Sequence, residues 1–574
     1  MSTPTRPAPR AVALVLDGHS RAAAETVLAL PRDVEVHVSA ASDDCLCFAS
    51  PRVAQRLRQP ADPAEFLVWL QQLDAQHGYA LIVPVTETSL IALKSHAVPA
   101  ALRAKAVIGD EASIDVALSK DHTVRVAEGL GIRVPKGRLV TDAAAVTTAA
   151  SFPAVVKPVH SKVRIDGHLR TIEARICADE QARQAAFREM LPHTPVVEQE
   201  YFAGRGVGVE ALFEHGEPRW VFAHERLHEM PLTGGASTYR RAIEPPAAVR
   251  EAALALLRHL RWHGVAMVEF KVSPDGQDYR LIEINPRLWG SLPLAVGAGV
   301  NFPLGLLRLA TGTPVGPQPR PTRCRYMRHV SNDVRWFVQS WKRRHDPLLV
   351  KRLDAGDFLG LLRPLWGAER WDLFRWNDRT LWWAATRDLF QGITNRLNRW
   401  RAGRAARANW SRLAPDWRAG RIERVLVLCY GNICRSPVVG LMLADALPGV
   451  QVRSAGMHPK TGRTSPAAWA ETVRDTLSVD LADHRSQQAG EADMAWAQLV
   501  IAMDTENWEA IERTFPTHLP RVTLLSAMAE QGGGSEVPDP YNKPGPEMRA
   551  IAETIRRCVS RAIGAFPLRP GSPG

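Results

Sequence analysis

The stretch Arg424–Pro437, RVLVLCYGNICRSP, brings together the residue types best able to do chemistry. An apolar run, Val425–Leu428, reads as a buried strand and delivers Cys429 to a loop of five residues. Arg435 and Ser436 then open a helix. Loop N–H groups in such a turn point inward and the helix N-terminus adds positive potential, so the loop cradles a phosphate dianion. The same field favours the thiolate of Cys429, the form that attacks phosphorus. Arg435 is placed to grip two phosphate oxygens, and Ser436 to donate its hydroxyl to sulfur as leaving group. A phosphocysteine route also needs an acid for the departing oxygen. Asp539, held between the two prolines of Glu536–Tyr541 (EVPDPY), supplies one. Cys434, five residues after the nucleophile, leaves two readings open: a reversible disulfide with Cys429, or an inert neighbour.

A second constellation is spread from Lys120 to Arg287. Lys120 stands before a helix and Lys157 ends the apolar strand of FPAVVKP, two cations for nucleotide phosphates. Val196–Val209 (VVEQEYFAGRGVGV) runs from a strand into a Gly-rich loop. Gln199, Glu200, Tyr201 and Phe202 therefore sit where a hinge could cover an adenine. Val268–Lys271 (VEFK) and Leu281–Arg287 (LIEINPR) read as neighbouring strands. Glu283 and Asn285, two residues apart, share one strand face. With Glu269 opposite they make an all-oxygen cluster suited to Mg²⁺ bridging phosphates. Taken singly, strand-end carboxylates are usually solvated or paired with arginine; the two lysines and the hinge tip the balance toward nucleotide.

The C-terminal motifs resemble the low-molecular-weight protein-tyrosine phosphatase family. The resemblance covers roughly Arg424–Pro567 and includes SAG at Ser454–Gly456, DHRSQQ at Asp483–Gln488 and MDTEN at Met503–Asn507. It implies that Asn432 orders the phosphate loop, that Asp539 is first acid and then base, and that Tyr541 lines the pocket mouth. Asn542 stands where the family usually has a second aromatic. Arsenate reduction uses a similar pocket but needs resolving cysteines downstream, and only Cys558 follows, inside an amphipathic helix. The second constellation resembles the ATP-grasp superfamily of carboxylate–amine ligases over about Ala11–Thr313. That implies ATP and Mg²⁺ as cofactors (Mn²⁺ being an alternative), with Lys120 and Lys157 on the phosphates and Glu200 and Phe202 meeting adenine through their backbones. It also implies Glu269, Glu283 and Asn285 on two metal ions, and Arg287 neutralising an acyl phosphate. Gly206 stands near the place of the ribose-binding acid, for which Glu210 is a substitute. His224–Arg226 and Leu232–Arg241 are expected as a loop facing the acceptor. The phosphatase domain needs no cofactor.

The elements that must position these groups are those of a multidomain α/β chain. With 574 residues, 45% hydrophobic and 23% charged, three or more folded domains are expected and wholesale disorder is excluded. No run approaches a membrane span, and Met1–Arg10 lacks the apolar core of a secretory signal. Seven thinly spread cysteines exclude a disulfide scaffold and favour a reducing cytoplasm. The resemblances divide the chain into a Rossmann-like pre-ATP-grasp domain (1–115), an ATP-grasp α+β domain (116–315), a Trp/Arg-rich helical connector (316–420) and a doubly wound parallel-sheet phosphatase domain (421–570).

The net charge of +12 is concentrated in that connector. Ser331–Arg424 holds 20 Lys/Arg against 10 Asp/Glu, and 10 of the 17 tryptophans. Tryptophans and arginines interleaved on helices have three readings: a packed helical subdomain, an interfacial surface on anionic lipid, or nucleic-acid stacking. The last is disfavoured because no nucleic-acid motif accompanies it.

The function expected is therefore double: a Mg-ATP ligase forming an amide-type bond between a carboxylate and an amine, and a phosphatase for tyrosine-phosphorylated protein. A bacterial tyrosine kinase of polysaccharide export is the candidate substrate, with the chain cytoplasmic and peripheral at the inner membrane face. The alternative is a regulatory or assembly protein whose ATP-grasp half only binds nucleotide.

Overall fold

The computed structural model describes residues 11–94, 98–143, 146, 151–165, 168–320, 322, 324–376, 378–529 and 536–567. The expected frayed tail, Arg569–Gly574, and the N-terminal Met1–Arg10 lie outside them. The chain divides into two compact units, Met1–Asp388 and Leu389–Gly574.

The first unit is built on three larger sheets. Val53–Arg58, Glu35–Ala40, Val12–Val15 and Leu81–Val83 form a parallel sheet in that order. Of its two central strands, Val12–Val15 is apolar on both faces, as a helix-covered parallel strand is expected to be, whereas Glu35–Ala40 sets Val36, Val38 and Ala40 on one face and the buried polar His37 and Ser39 on the other. Asp17, just past Val12–Val15, accepts from the backbone N–H and the hydroxyl of Thr86, each at 2.9 Å, and so ties together the C-terminal ends of the two strands. Gly137–Val140, Val196–Glu200, Ala154–Pro158 and Arg175–Cys177 make an antiparallel sheet. After Lys157, Lys162–Ile165 and His168–Thr171 pair as an antiparallel hairpin.

The third sheet has seven strands: Tyr279–Asn285, Gly264–Val272, Arg205–Glu214, Glu217–Met230, Ala236–Ala242, Tyr326–Arg328 and Glu369–Trp371. Two expectations change here. His224–Arg226 belong to a long strand, and Ala236–Ala242, read as loop, is the strand paired with it. A Gly-rich start disguised the β-branched and aromatic run STY that follows. The connector is not a separate helical body either. Tyr326–Arg328 and Glu369–Trp371 extend the sheet, and the helix Val330–Lys342 lies between them in sequence.

The helix Thr380–Arg418 crosses the boundary between the units. Its C-terminal part is built into the second unit, where Trp410 and Trp417 are buried in the core. Trp417 Nε1 donates to the Ala562 carbonyl at 2.9 Å, and Asn409 Nδ2 donates to Leu519 and Val522 carbonyls at 2.9 Å. The unit's sheet, Gln451–Gly456, Arg424–Cys429, Leu499–Ala502 and Val522–Leu524, is wholly parallel. The helices Arg435–Ala446 and Gly545–Gly564 bury their apolar faces in its core. Emptying the Trp417 site by Trp417→Ala is expected to destabilise this unit by ~3–5 kcal/mol. The unit should then melt at a temperature on the order of 10 °C lower, as read by circular dichroism. An unchanged melting temperature would mean that the helix end adds nothing to the unit.

Candidate functional site

The central strand Arg424–Cys429 carries Cys429 to the C-terminal edge of the sheet, the edge at which parallel α/β folds place their sites. Cys429 is buried, and its sulfur accepts the Asn432 backbone N–H at 3.2 Å and lies 3.1 Å from the Ser436 hydroxyl. Asn432 has the positive φ of 49° that the tight loop requires and asparagine tolerates. Its side chain is fully committed: Nδ2 donates to Ser436 Oγ at 3.0 Å and Ser454 Oγ at 3.1 Å, and Oδ1 accepts the Gln487 N–H at 2.8 Å. His484 Nε2 lies 2.7 Å from the Asn432 carbonyl. SAG and DHRSQQ thus buttress the loop.

Arg435 is buried between two carboxylates, ion-paired with Asp504 and 3.4 Å from Asp539, and it donates to the Val537 carbonyl at 2.9 Å. Burial alone would lower its pKa; Asp504, Asp539 and Cys429 outweigh it and hold the guanidinium charged. Asp504 was not singled out from the sequence. The signal was available, since it follows the strand Leu499–Ala502 and caps the next helix by accepting the Asn507 N–H at 2.7 Å. Asp539 is more exposed than Arg435, and its Oδ1 accepts the Tyr541 N–H at 3.2 Å. Tyr541 and Tyr430 both stand exposed, one on the Asp539 loop and one next to Cys429. The Cys434 thiol is buried, and burial, Asp539 and Cys429 push its pKa up to about 12. Cys558 is buried in its helix.

In the first unit the strand register sets Glu283 opposite Glu269. Asn285 Nδ2 donates to Glu269 at 2.9 Å and to Glu283 at 3.3 Å, so the three groups expected to hold metal are adjacent. Burial would raise the Glu283 carboxyl, but Lys120, Lys157, Arg226 and Arg287 together hold it below the ordinary range. Lys157 is buried, with Nζ 3.4 Å from the Ile282 carbonyl. Its pKa is pulled down to about 8 by burial first and by Lys120 second. Lys120 donates to Ser161 Oγ at 2.6 Å. Two oxygen-rich carboxylates, an amide and flanking lysines suit a divalent cation bridging phosphates. Glu269, however, also pairs with the buried Arg226 at 2.5 Å, so a cation there competes with a guanidinium.

The hinge residues are less uniform than expected. Gln199 is buried in the strand, and the Glu200 N–H is spent on the Lys136 carbonyl at 2.8 Å. Tyr201–Gly204 leave the sheet, and Arg280 lies 4.7 Å over the Phe202 ring. Glu210 is fully buried; Ser291 donates to its carboxylate at 3.0 Å, and His224 Nδ1 lies 2.9 Å away. Arg287 reaches 3.5 Å from Glu87, just past Leu81–Val83 of the first sheet. The first sheet thereby contributes to this site, a link that no motif announced.

The model of the family "Low molecular weight phosphotyrosine protein phosphatase" matches residues 424–563, and that of "ATP-grasp in the biosynthetic pathway with Ter operon" matches 193–332. A curated relative from Ralstonia nicotianae, "Probable low molecular weight protein-tyrosine-phosphatase EpsP", is 32% identical over 145 residues, 25% of this chain and 94% of its own. A "Protein-arginine-phosphatase" from Geobacillus stearothermophilus is 30% identical over 139 residues, 24% of this chain and 92% of its own. The solved N5-carboxyaminoimidazole synthetase of Staphylococcus aureus superposes with a TM-score of 0.45 at 16% identity, covering 59% of this chain and 86% of that one. The segment 193–332 thus carries a match to an ATP-grasp model ahead of the C-terminal domain, and through that domain, which aligns at 32% identity with 94% of the Ralstonia relative, the chain belongs to the low molecular weight phosphotyrosine protein phosphatase family.

Proposed function

We propose that the C-terminal unit hydrolyses aryl phosphate esters of protein through a phosphocysteine, with tyrosine phosphate as substrate. The observation that carries this is the convergence of Cys429, the Asn432 N–H, the Ser436 hydroxyl and the Arg435 guanidinium on one loop. Cys429 attacks phosphorus while Arg435 and the loop N–H groups take up the charge on the equatorial oxygens. Asp539 gives its proton to the departing phenol oxygen, and Ser436 later stabilises sulfur as water displaces it. Tyr430, exposed beside Cys429, offers the second aromatic wall that Asn542 does not. The phosphatase partner is a tyrosine-phosphorylated protein, for which a kinase of polysaccharide export in the same cytoplasm is the candidate.

The acid assignment has a direct check. Asp539→Asn is expected to slow hydrolysis of phosphotyrosyl peptide ~10²–10⁴-fold. p-Nitrophenyl phosphate, whose leaving group needs little protonation, should lose far less. Equal losses on both would remove Asp539 from the role. A phosphoarginyl peptide turned over faster than the phosphotyrosyl one would move the domain to the other substrate class.

The ATP-grasp half fits a ligase that activates a carboxylate as an acyl phosphate for attack by an amine. Glu269, Glu283 and Asn285 would hold Mg²⁺, which neutralises phosphate charge; Lys120 and Lys157 bind the phosphates, and Arg287 faces the acyl phosphate. The pairing of Glu269 with Arg226 favours a second reading, in which the half binds nucleotide without ligating. ADP release that depends on an added carboxylate and amine separates the two. A nucleotide-dependent thermal shift with no such release supports the second.

A further inference from the structure

We propose that residues 334–366 form a docking surface for an anionic phospholipid bilayer. The segment is amphipathic in the wrong sense for a soluble protein. Between Phe358 and Trp366 six large apolar side chains face outward: Phe358, Leu359, Leu361, Leu362, Leu365 and Trp366. Leu359 is 67% exposed, Leu365 78% and Trp366 71%. The neighbouring helix Val330–Lys342 adds exposed Val334, Val338 and Trp341, the last at 62%. The two strips are continuous: the Phe337 and Phe358 rings sit 5.6 Å apart, and a groove of about 360 Å³ runs between Val338, Trp341, Leu353 and Phe358. Folded soluble proteins seldom leave so large a contiguous apolar patch uncovered.

Buried carboxylates at the two ends of the leucine run hold it in place. Asp357 is buried, 3.0 Å from His228 Nε2, paired with Lys351, and joined to Asp354 in a capping box. His228 in turn lies 2.7 Å from buried Asp333 and stacks on Trp336 at 3.5 Å. At the other end buried Glu369 accepts from Arg328 at 2.7 Å and from Tyr239 OH at 2.8 Å, while Arg363 reaches Tyr239 OH at 2.5 Å. A segment anchored by the buried Asp357 and Glu369 that turns its leucines out is fixed in shape and built for an apolar phase.

The rim decides which phase. Lys342, Arg343, Arg344, Arg352 and Arg370 are exposed around the patch, whereas its carboxylates Asp346 and Asp354 are near Arg343 and Lys351 and Asp357 and Glu369 are buried. A second copy of this chain would bring the same positive rim against itself. A bilayer of anionic lipid offers hydrocarbon to the leucines and negative headgroups to the rim, and Trp341 and Trp366 suit the boundary.

Flotation of the full chain with phosphatidylglycerol vesicles tests this. Binding is expected at low salt, weakened strongly at high salt, and weak on phosphatidylcholine alone. Leu365→Glu with Trp366→Glu should lower the partition coefficient at least ~100-fold while leaving p-nitrophenyl phosphate turnover unchanged. If that pair lowers the melting temperature, Arg344→Glu with Arg352→Glu provides a rim variant that spares the apolar patch and should also lose binding. No binding at low salt, or binding indifferent to both variants, would overturn the proposal. So would light scattering that shows a dimer turned monomeric by the Glu pair with no effect on vesicles, since the patch would then be a subunit interface.

Discussion

Cys429→Ser is expected to reduce hydrolysis of p-nitrophenyl phosphate and phosphotyrosyl peptide by at least about 10⁴-fold, because removal of a covalent nucleophile leaves only binding and electrostatics. A serine hydroxyl in this loop has no base to ionise it. The sulfur accepts the Asn432 N–H, and the Ser436 hydroxyl 3.1 Å away is able to donate to a thiolate there. They favour negative charge on the atom they meet, but cannot take a proton from it. The substitution is nearly isosteric, so the loop, fastened through Asn432 to Ser436, Ser454 and Gln487, should keep its shape. Phosphate binding measured by calorimetry should therefore survive while turnover vanishes. Turnover that persists in the variant and responds to metal would mean that a different centre performs the hydrolysis.

Lys157→Met is expected to abolish the stabilisation of the first unit by Mg-ATP, which for a ligand at a hundredfold its Kd amounts to ~2.7 kcal/mol. The free protein should be no less stable, since Met fills a similar volume without a buried charge. The pH dependence follows from the lowered pKa. Below about 8 both folded and unfolded chains hold the Lys157 proton and the burial penalty is fully present. Between about 8 and the ordinary 10.5 only the unfolded chain holds it, so the free protein gains stability as pH rises through that window. A phosphate beside Lys157 restores the charged form. Nucleotide binding near pH 9 should therefore take up a proton, seen as a binding enthalpy that varies with the buffer's ionisation enthalpy; Lys157→Met should lose that variation. A variant that binds ATP like the parent would remove Lys157 from the phosphates.

The two sites were not equally legible. The candidate phosphatase loop is contiguous: Cys429, the Asn432 amide, Arg435 and Ser436 lie within eight residues, so the sequence shows them side by side, although Ser454, His484 and Gln487 buttress the loop from elsewhere in the chain. Glu283 and Asn285 were readable for the same reason, because a strand puts every second residue on one face. Glu210 shows where local reasoning stops. Its distance from the hinge in sequence made it a candidate for ribose, yet the register of Arg205–Glu214 against Gly264–Val272 sets it opposite Met267, fully buried and bound by Ser291. No periodicity in either segment encodes that register.

What the sequence by itself determined, then, is the chemistry that contiguous residues can specify: a cysteine phosphatase loop, a strand-borne carboxylate–amide pair, and two α/β domain types to carry them. The tertiary structure alone decided the long-range partners. Asp504 meets Arg435 across 69 positions, Arg226 takes one side of Glu269, and Glu87, at the start of the helix that follows the first sheet's Leu81–Val83, reaches Arg287. It also decided the fate of the tryptophans: Trp410 and Trp417 are buried in the core of the second unit, while Trp341 and Trp366 stand at the edge of an outward-facing leucine patch. The reason is physical. Tryptophan, leucine and arginine in a connector satisfy either an inward or an outward apolar face, and only the buried anchors Asp357 and Glu369, engaged by His228 and Arg328 from distant strands, select which face turns out.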